Sequence, residues 1–220
     1  MVLYNTLMGV AAGAAMVMVP LLAHRLGRRE QIGVQGWALS FGVLGVILAV
    51  LGALMATTWP LSAKPQVNIL FGEPTFFLGL LLLAAALYLW THAAELADLD
   101  DAGFDHLIRV VEPVSWLVFV LGLILAACTI TVFRFTAIGG APPAEPIMGT
   151  FADSPWVENT LVGLFYALAA VGTLLAPWAV RKLGGPLARV AGWCMIVGGV
   201  ALLLYSAMNY YTHIGLEMGM

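Results

Sequence analysis

The chain has 220 residues, 62% hydrophobic and 10% charged, with mean hydropathy +0.98 and formal net charge −3. Soluble domains are about 45–50% apolar and about 25% charged, so an ordinary soluble protein is excluded and an all-α integral membrane protein is expected, embedded in the lipid bilayer. The acidic balance offers no basic field for nucleic acid.

A helix needs about 20 predominantly apolar residues to cross a bilayer, and six segments qualify: residues 3–24, 36–59, 74–94, 113–135, 157–180 and 188–212. The first opens MVLYNTLMG without a basic leader, and Arg25, Arg28 and Arg29 follow its apolar run, so it reads as a retained helix and not a cleaved signal. Glu73-Pro74 precedes the third span and Glu112-Pro113 the fourth. There proline suits the first helical position and the carboxylate complements the helix's positive end. Asp153-Ser154-Pro155 serves the fifth span in the same way.

Arg25, Arg28, Arg29, Arg109, Arg181, Lys182 and Arg189 fall in the links after spans one, three and five, against Lys64 and Arg134 on the other side. The positive-inside rule puts those three links in the cytoplasm and both termini outside, as expected in a cell's inner (cytoplasmic) membrane. Tryptophan prefers the interface, and all seven lie near span ends: Trp37, Trp90, Trp116, Trp178 and Trp193 at the cytoplasmic level, Trp59 and Trp156 at the outer one.

The first and fifth spans open on nearly the same word, Asn5-Thr6-Leu7-Met8-Gly9 and Asn159-Thr160-Leu161-Val162-Gly163, spaced 159 − 5 = 154 positions apart. PLLAHRLG (Pro20 to Gly27) then faces PWAVRKLG (Pro177 to Gly184), and Gly36-Trp37 faces Gly192-Trp193. The middle unit fits more loosely, with Thr75 and Gly79 heading the third span and Ser115-Trp116 starting the fourth. This predicts one transmembrane domain of three parallel-inserted helical hairpins, residues 3–59, 74–135 and 157–212, related about an axis along the membrane normal.

Thr58 to Leu83, TWPLSAKPQVNILFGEPTFFLGLLLL, with GAPPAEP at Gly140 to Pro146, resembles a family of multi-pass proteins catalogued as domain of unknown function 981. The resemblance implies an integral membrane protein without an assigned activity, and it supplies no catalytic residue.

On the outer side, Glu73, Arg134 and Glu158 sit at the mouths of spans, and Asn5, Asn159 and Asn209 add amides at similar depth. These read first as an ion pair and amides that tie helices together, and second as a vestibule for a small polar solute, with Arg134 as an anion contact. His24 and His92 form a candidate pair of haem ligands, but both lie near the membrane surface, so interfacial histidines are expected. His213, Met218 and Met220 offer copper(I) ligands, although methionines in so apolar a chain are expected to pack. No cofactor or metal is therefore expected. Glu95, Asp98, Asp100, Asp101 and Asp105 around His106 read as a solvated acidic surface, and Cys128 and Cys194 as small packing residues.

No Asp, Glu, Lys or Arg lies in the central half of any of the six segments, which disfavours ion-coupled transport. No catalytic trio, zinc motif or phosphate loop appears, and no enzyme is expected. Gly9 with Gly13, and Gly198 with Gly199, allow close helix approach either within the chain or between subunits. The first expectation is a non-catalytic subunit packing against other membrane proteins, such as those of a respiratory complex, or against copies of itself. The alternatives are a passive channel for a small uncharged solute, lined by Thr6, Thr160, Ser206 and Asn209, and a haem- or quinone-binding electron carrier.

Overall fold

The computed structural model describes residues 3–218, with side chains from residue 5 onward. Helices α1 (Leu3–Gly27), α2 (Val34–Thr58), α3 (Pro65–Thr91), α4 (Ala93–Ala97), α5 (Asp101–Phe135), α6 (Trp156–Leu174), α7 (Ala176–Ala179) and α8 (Pro186–Glu217) follow one another without a strand among the described residues. Six of them, α1, α2, α3, α5, α6 and α8, are long and apolar enough to cross a membrane. Lipid offers backbone groups no partner, so each crossing segment satisfies its own as helix.

Two helix starts differ from the sequence reading. Helix α3 begins at Pro65, so Glu73 and Pro74 lie inside it, about two turns from its start. The link before it is tied by Asn68: its Oδ1 accepts from Leu61 N at 3.0 Å and its Nδ2 donates to Leu61 O at 3.1 Å. Helix α5 begins at Asp101, where Asp100 accepts from Gly103 N at 2.7 Å. Glu112 and Pro113 are therefore interior as well, and Glu112 pairs with Arg181 at 2.7 Å. Glu73 and Glu112 therefore lie inside α3 and α5, at the edges of the charge-free runs 74–94 and 113–133.

Arginine 29 fastens the first link to the start of α5. It bonds Asp101 at 3.1 Å, and its guanidinium lies 3.6 Å from the centre of the Phe104 ring. This end of the bundle carries the basic links and is called the basic end below; the opposite is the far end.

The helices form a closed ring in the order α1, α2, α3, α5, α6, α8. Packing is most extensive for α2 with α3, α8 with α1, and α5 with α6, and least between α3 and α5. The closest pairs thus meet across the far end, whereas the expected hairpins joined helices at the basic end. Small residues set this pairing. A Cβ on Gly13 would lie 2.7 Å from the Gly199 carbonyl oxygen, one on Gly52 would lie 2.5 Å from Phe76 N, and one on Gly122 would lie 2.8 Å from Leu174 N.

Taken as α8–α1, α2–α3 and α5–α6, the pairs each carry a copy of the repeated word, the third of them in α3. Asn68-Ile69-Leu70-Phe71-Gly72 joins Asn5 to Gly9 and Asn159 to Gly163 as Asn-x-Leu-x-Gly near the start of a spanning helix. Each glycine faces the partner helix of its pair: Gly9 meets Ser206, Gly72 meets Ala56 and Gly163 meets Phe133. The Thr75 and Gly79 correspondence read for the middle unit is replaced by this one.

Candidate far-end chamber

Five spanning helices, α1, α3, α5, α6 and α8, surround a cavity of about 570 Å³ at the far end. Segments 60–64 and 138–148 also contribute to its wall, whereas α2 packs outside it. Met8, Ala12, Leu70, Phe71, Val162 and Ala169 make an apolar wall. Asn5, Lys64, Glu145, Glu158, Tyr205, Asn209 and His213 add a polar collar. The wall reaches Val19, Leu78, Leu121, Thr173 and Met195. Buried Leu22, Leu89 and Leu107 belong to the basic half of α1, α3 and α5 and do not line it.

Glu158 is aimed by its neighbour. Asn159 is 4% exposed; its Nδ2 donates to Val132 O at 2.8 Å and its Oδ1 accepts from Ile138 N at 3.3 Å. That bond pair fixes the rotation of α6 against α5, and the next position on a helix points about 100° away. The Glu158 side chain thereby turns to the cavity while Asn159 faces α5.

Lys64 holds the long far-end link. Its Nζ donates to the carbonyls of Ile138, Gly139 and Gly140 at 2.9, 3.0 and 3.2 Å. An ammonium has three N–H groups, so all are spent. Gly140 sits at φ +102°, a backbone position that glycine adopts readily. Lys64→Met is expected to leave three carbonyls without their donor, and amide exchange across residues 136–141 should accelerate by about tenfold or more. Hydrogen exchange read by mass spectrometry checks this.

Glu145, in the GAPPAEP stretch, is buried, and its Oε2 accepts from Ile147 N at 3.0 Å and Gly149 N at 2.9 Å. Tyr166 donates to Leu70 O at 2.6 Å, joining α6 to α3 across the cavity wall. His213 Nδ1 and Thr6 Oγ1 share a hydrogen bond of 3.3 Å between α8 and α1. Two collar atoms, Asn5 Oδ1 and Glu158 Oε2, are shielded from solvent without a hydrogen-bond partner among the described residues.

Of the six polar residues singled out in the sequence, Asn5, Glu158 and Asn209 converge on the cavity, whereas Glu73, Arg134 and Asn159 do not line it. Glu73 and Arg134 are exposed on the surface of their helices. His24 is exposed at the end of α1. His92 is stacked on Tyr88 with ring centroids 4.4 Å apart, and its Nδ1 lies 3.1 Å from Tyr88 O. Neither histidine lines the cavity. Met218 is 70% exposed, and Met220 lies outside the described residues. Lys64, Glu145 and Asn68 went unremarked as site residues in the sequence; the NILFG word was the available signal for Asn68.

The fold and cavity define a class: a multi-pass α-helical membrane protein with an amphipathic chamber toward its far end. Residues 1–215 match the family described as Protein of unknown function (DUF981), and the chain belongs to that family. No curated protein and no solved structure matches it.

Proposed function

We propose that the protein is a membrane-embedded binding chamber for a small amphipathic molecule, entered from the extracytoplasmic side. The observation that carries this is the far-end cavity, with a polar collar above an apolar wall. Its volume of about 570 Å³ falls within the usual range of about 300–1,000 Å³ for small-molecule sites. The basic links lie at the opposite end, which by the positive-inside rule puts the collar and both termini outside the inner membrane. The three repeated units then enter in the same sense about a common axis. Because the wall stops at Val19, Leu121 and Met195, above buried Leu22 and Leu107, a binding chamber has more support than a through channel.

The alternative of a non-catalytic subunit in a larger complex drew on faces rich in small residues. Gly9, Gly13, Gly198 and Gly199 are spent between α1, α6 and α8 of one chain, so that support is weaker and the chamber takes precedence. The role is binding, without a chemical step.

Thermal unfolding of the purified protein in mild detergent tests this with 4-phenylbutan-1-ol, a small molecule of matching amphipathic character. Binding to the folded state alone is expected to stabilise by about 2.7 kcal/mol at a hundredfold excess over Kd. Ala12→Phe, which places a ring in the wall, should abolish the shift. A wild-type protein that neither this alcohol nor 4-phenylbutylamine stabilises, or an undiminished shift in the variant, sinks the proposal.

A further inference from the structure

Asn5 Oδ1 and Glu158 Oε2 belong to two half-buried side chains of the collar, and both oxygens lack a donor. Leaving a buried acceptor unpaired costs about 1–3 kcal/mol, more for a charged group. The repeat sharpens the contrast. At the same place in the Asn-x-Leu-x-Gly word, Asn68 spends its amide on Leu61, and Asn159 spends its own on Val132 and Ile138. Both bind the outer link, or the helix end, that precedes them in the chain. Helices α8 and α1 are not consecutive in the chain, and Asn5 lines the cavity.

The nearby cation does not complete the site. Lys64 stands beside Glu158 electrostatically, yet its three N–H groups go to backbone carbonyls. Glu145 adds a second carboxylate to the collar. The Tyr205 hydroxyl and the Ala141 N–H also serve the Glu158 carboxylate, and what remains unserved is its Oε2 together with Asn5 Oδ1. What Asn5 Oδ1 and Glu158 Oε2 lack is a cationic donor not already spent, as Lys64 is, and what lies beneath is an apolar wall containing Phe71 and Tyr166, stacked 6.4 Å apart.

Resting on the chamber reading, we infer that the ligand is a primary amine, bound as its ammonium with N–H groups on Asn5 Oδ1 and Glu158 Oε2 and with its apolar body against the wall below. Charge-assisted hydrogen bonds are roughly twice as strong as neutral ones, so the ammonium should outbind a neutral group carried on the same body.

Isothermal titration of the full-length wild-type protein in mild detergent at neutral pH, comparing 4-phenylbutylamine with 4-phenylbutan-1-ol, tests this. The amine is expected to bind about tenfold tighter or more, and Glu158→Gln should bring it within about twofold of the alcohol. If the alcohol binds wild type as tightly as the amine, the amine inference fails while the chamber stands; if neither binds, both fail. A tenfold preference that survives in Glu158→Gln also overturns the inference. Should that variant not fold, the wild-type comparison alone decides.

Discussion

Gly79→Val is expected to lower the stability of the protein by about 3 kcal/mol or more, read as the midpoint of unfolding in a denaturing-detergent titration. A side chain at this position would fall on the backbone of α2, with its Cβ 2.8 Å from Ala49 Cα and 2.9 Å from the Leu48 carbonyl carbon. Backbone atoms cannot rotate aside, so the two helices have to separate. Separation spreads along the pair, because Gly45, Gly52 and Gly72 keep the same close approach above and below. In lipid, helix association depends on such packing, since no hydrophobic force favours helix contact over contact with acyl chains. Gly36→Val is the control: nothing lies within 4 Å of the Cβ it would add, and its effect should stay below about 0.5 kcal/mol. Equal losses from the two substitutions would refute this account of the α2–α3 seam.

Asn159→Leu is expected to cost about 2–4 kcal/mol in the same titration, and Asn68→Leu a similar amount. Each removes the partner of buried backbone groups: Val132 O and Ile138 N for Asn159, Leu61 N and O for Asn68. An unsatisfied buried group costs about 1–3 kcal/mol, and Asn68 and Asn159 are only 0% and 4% exposed. Asn5→Leu, at the remaining copy of the word, removes an amide whose Oδ1 has no partner. Its cost should be below about 1 kcal/mol, while amine binding falls. A loss from Asn5→Leu as large as that from Asn159→Leu would contradict the division of roles among the three asparagines.

Much of the architecture was legible from residue chemistry. Six apolar runs near 20 residues in length specify six crossings, and the structure has six such helices. The match between Asn5 to Gly9 and Asn159 to Gly163 signalled an internal repeat. The third copy was hidden by a competing rule. Pro74 and Pro113 follow glutamates in the manner of helix starts, yet in α3 and α5 they are interior. Neighbouring helices and local adjustment let a membrane helix carry proline, so a start signal borrowed from soluble proteins misplaced the third span and left NILFG outside it.

The chamber was only half legible. Asn5, Glu158 and Asn209 were picked out as polar groups of comparable depth, and the cavity gathers them. Arg134 and Glu73 have the same depth by sequence but lie exposed. Depth follows from counting residues along a helix, whereas rotation about its axis does not. Asn159 and Glu158 are adjacent in the chain, and one staples two helices while the other lines a cavity.

Composition, run lengths and the placement of charge by themselves determined that this chain is a membrane protein of six crossings with basic links gathered at one end. Tertiary structure alone decided which helices pair, which glycines are consumed, and which polar side chains reach the chamber. The physical reason is that lipid and protein core are both apolar. A crossing helix therefore carries little of the one-sided pattern that, in water, tells inside from outside, and only the fit of one surface on another fixes its rotation.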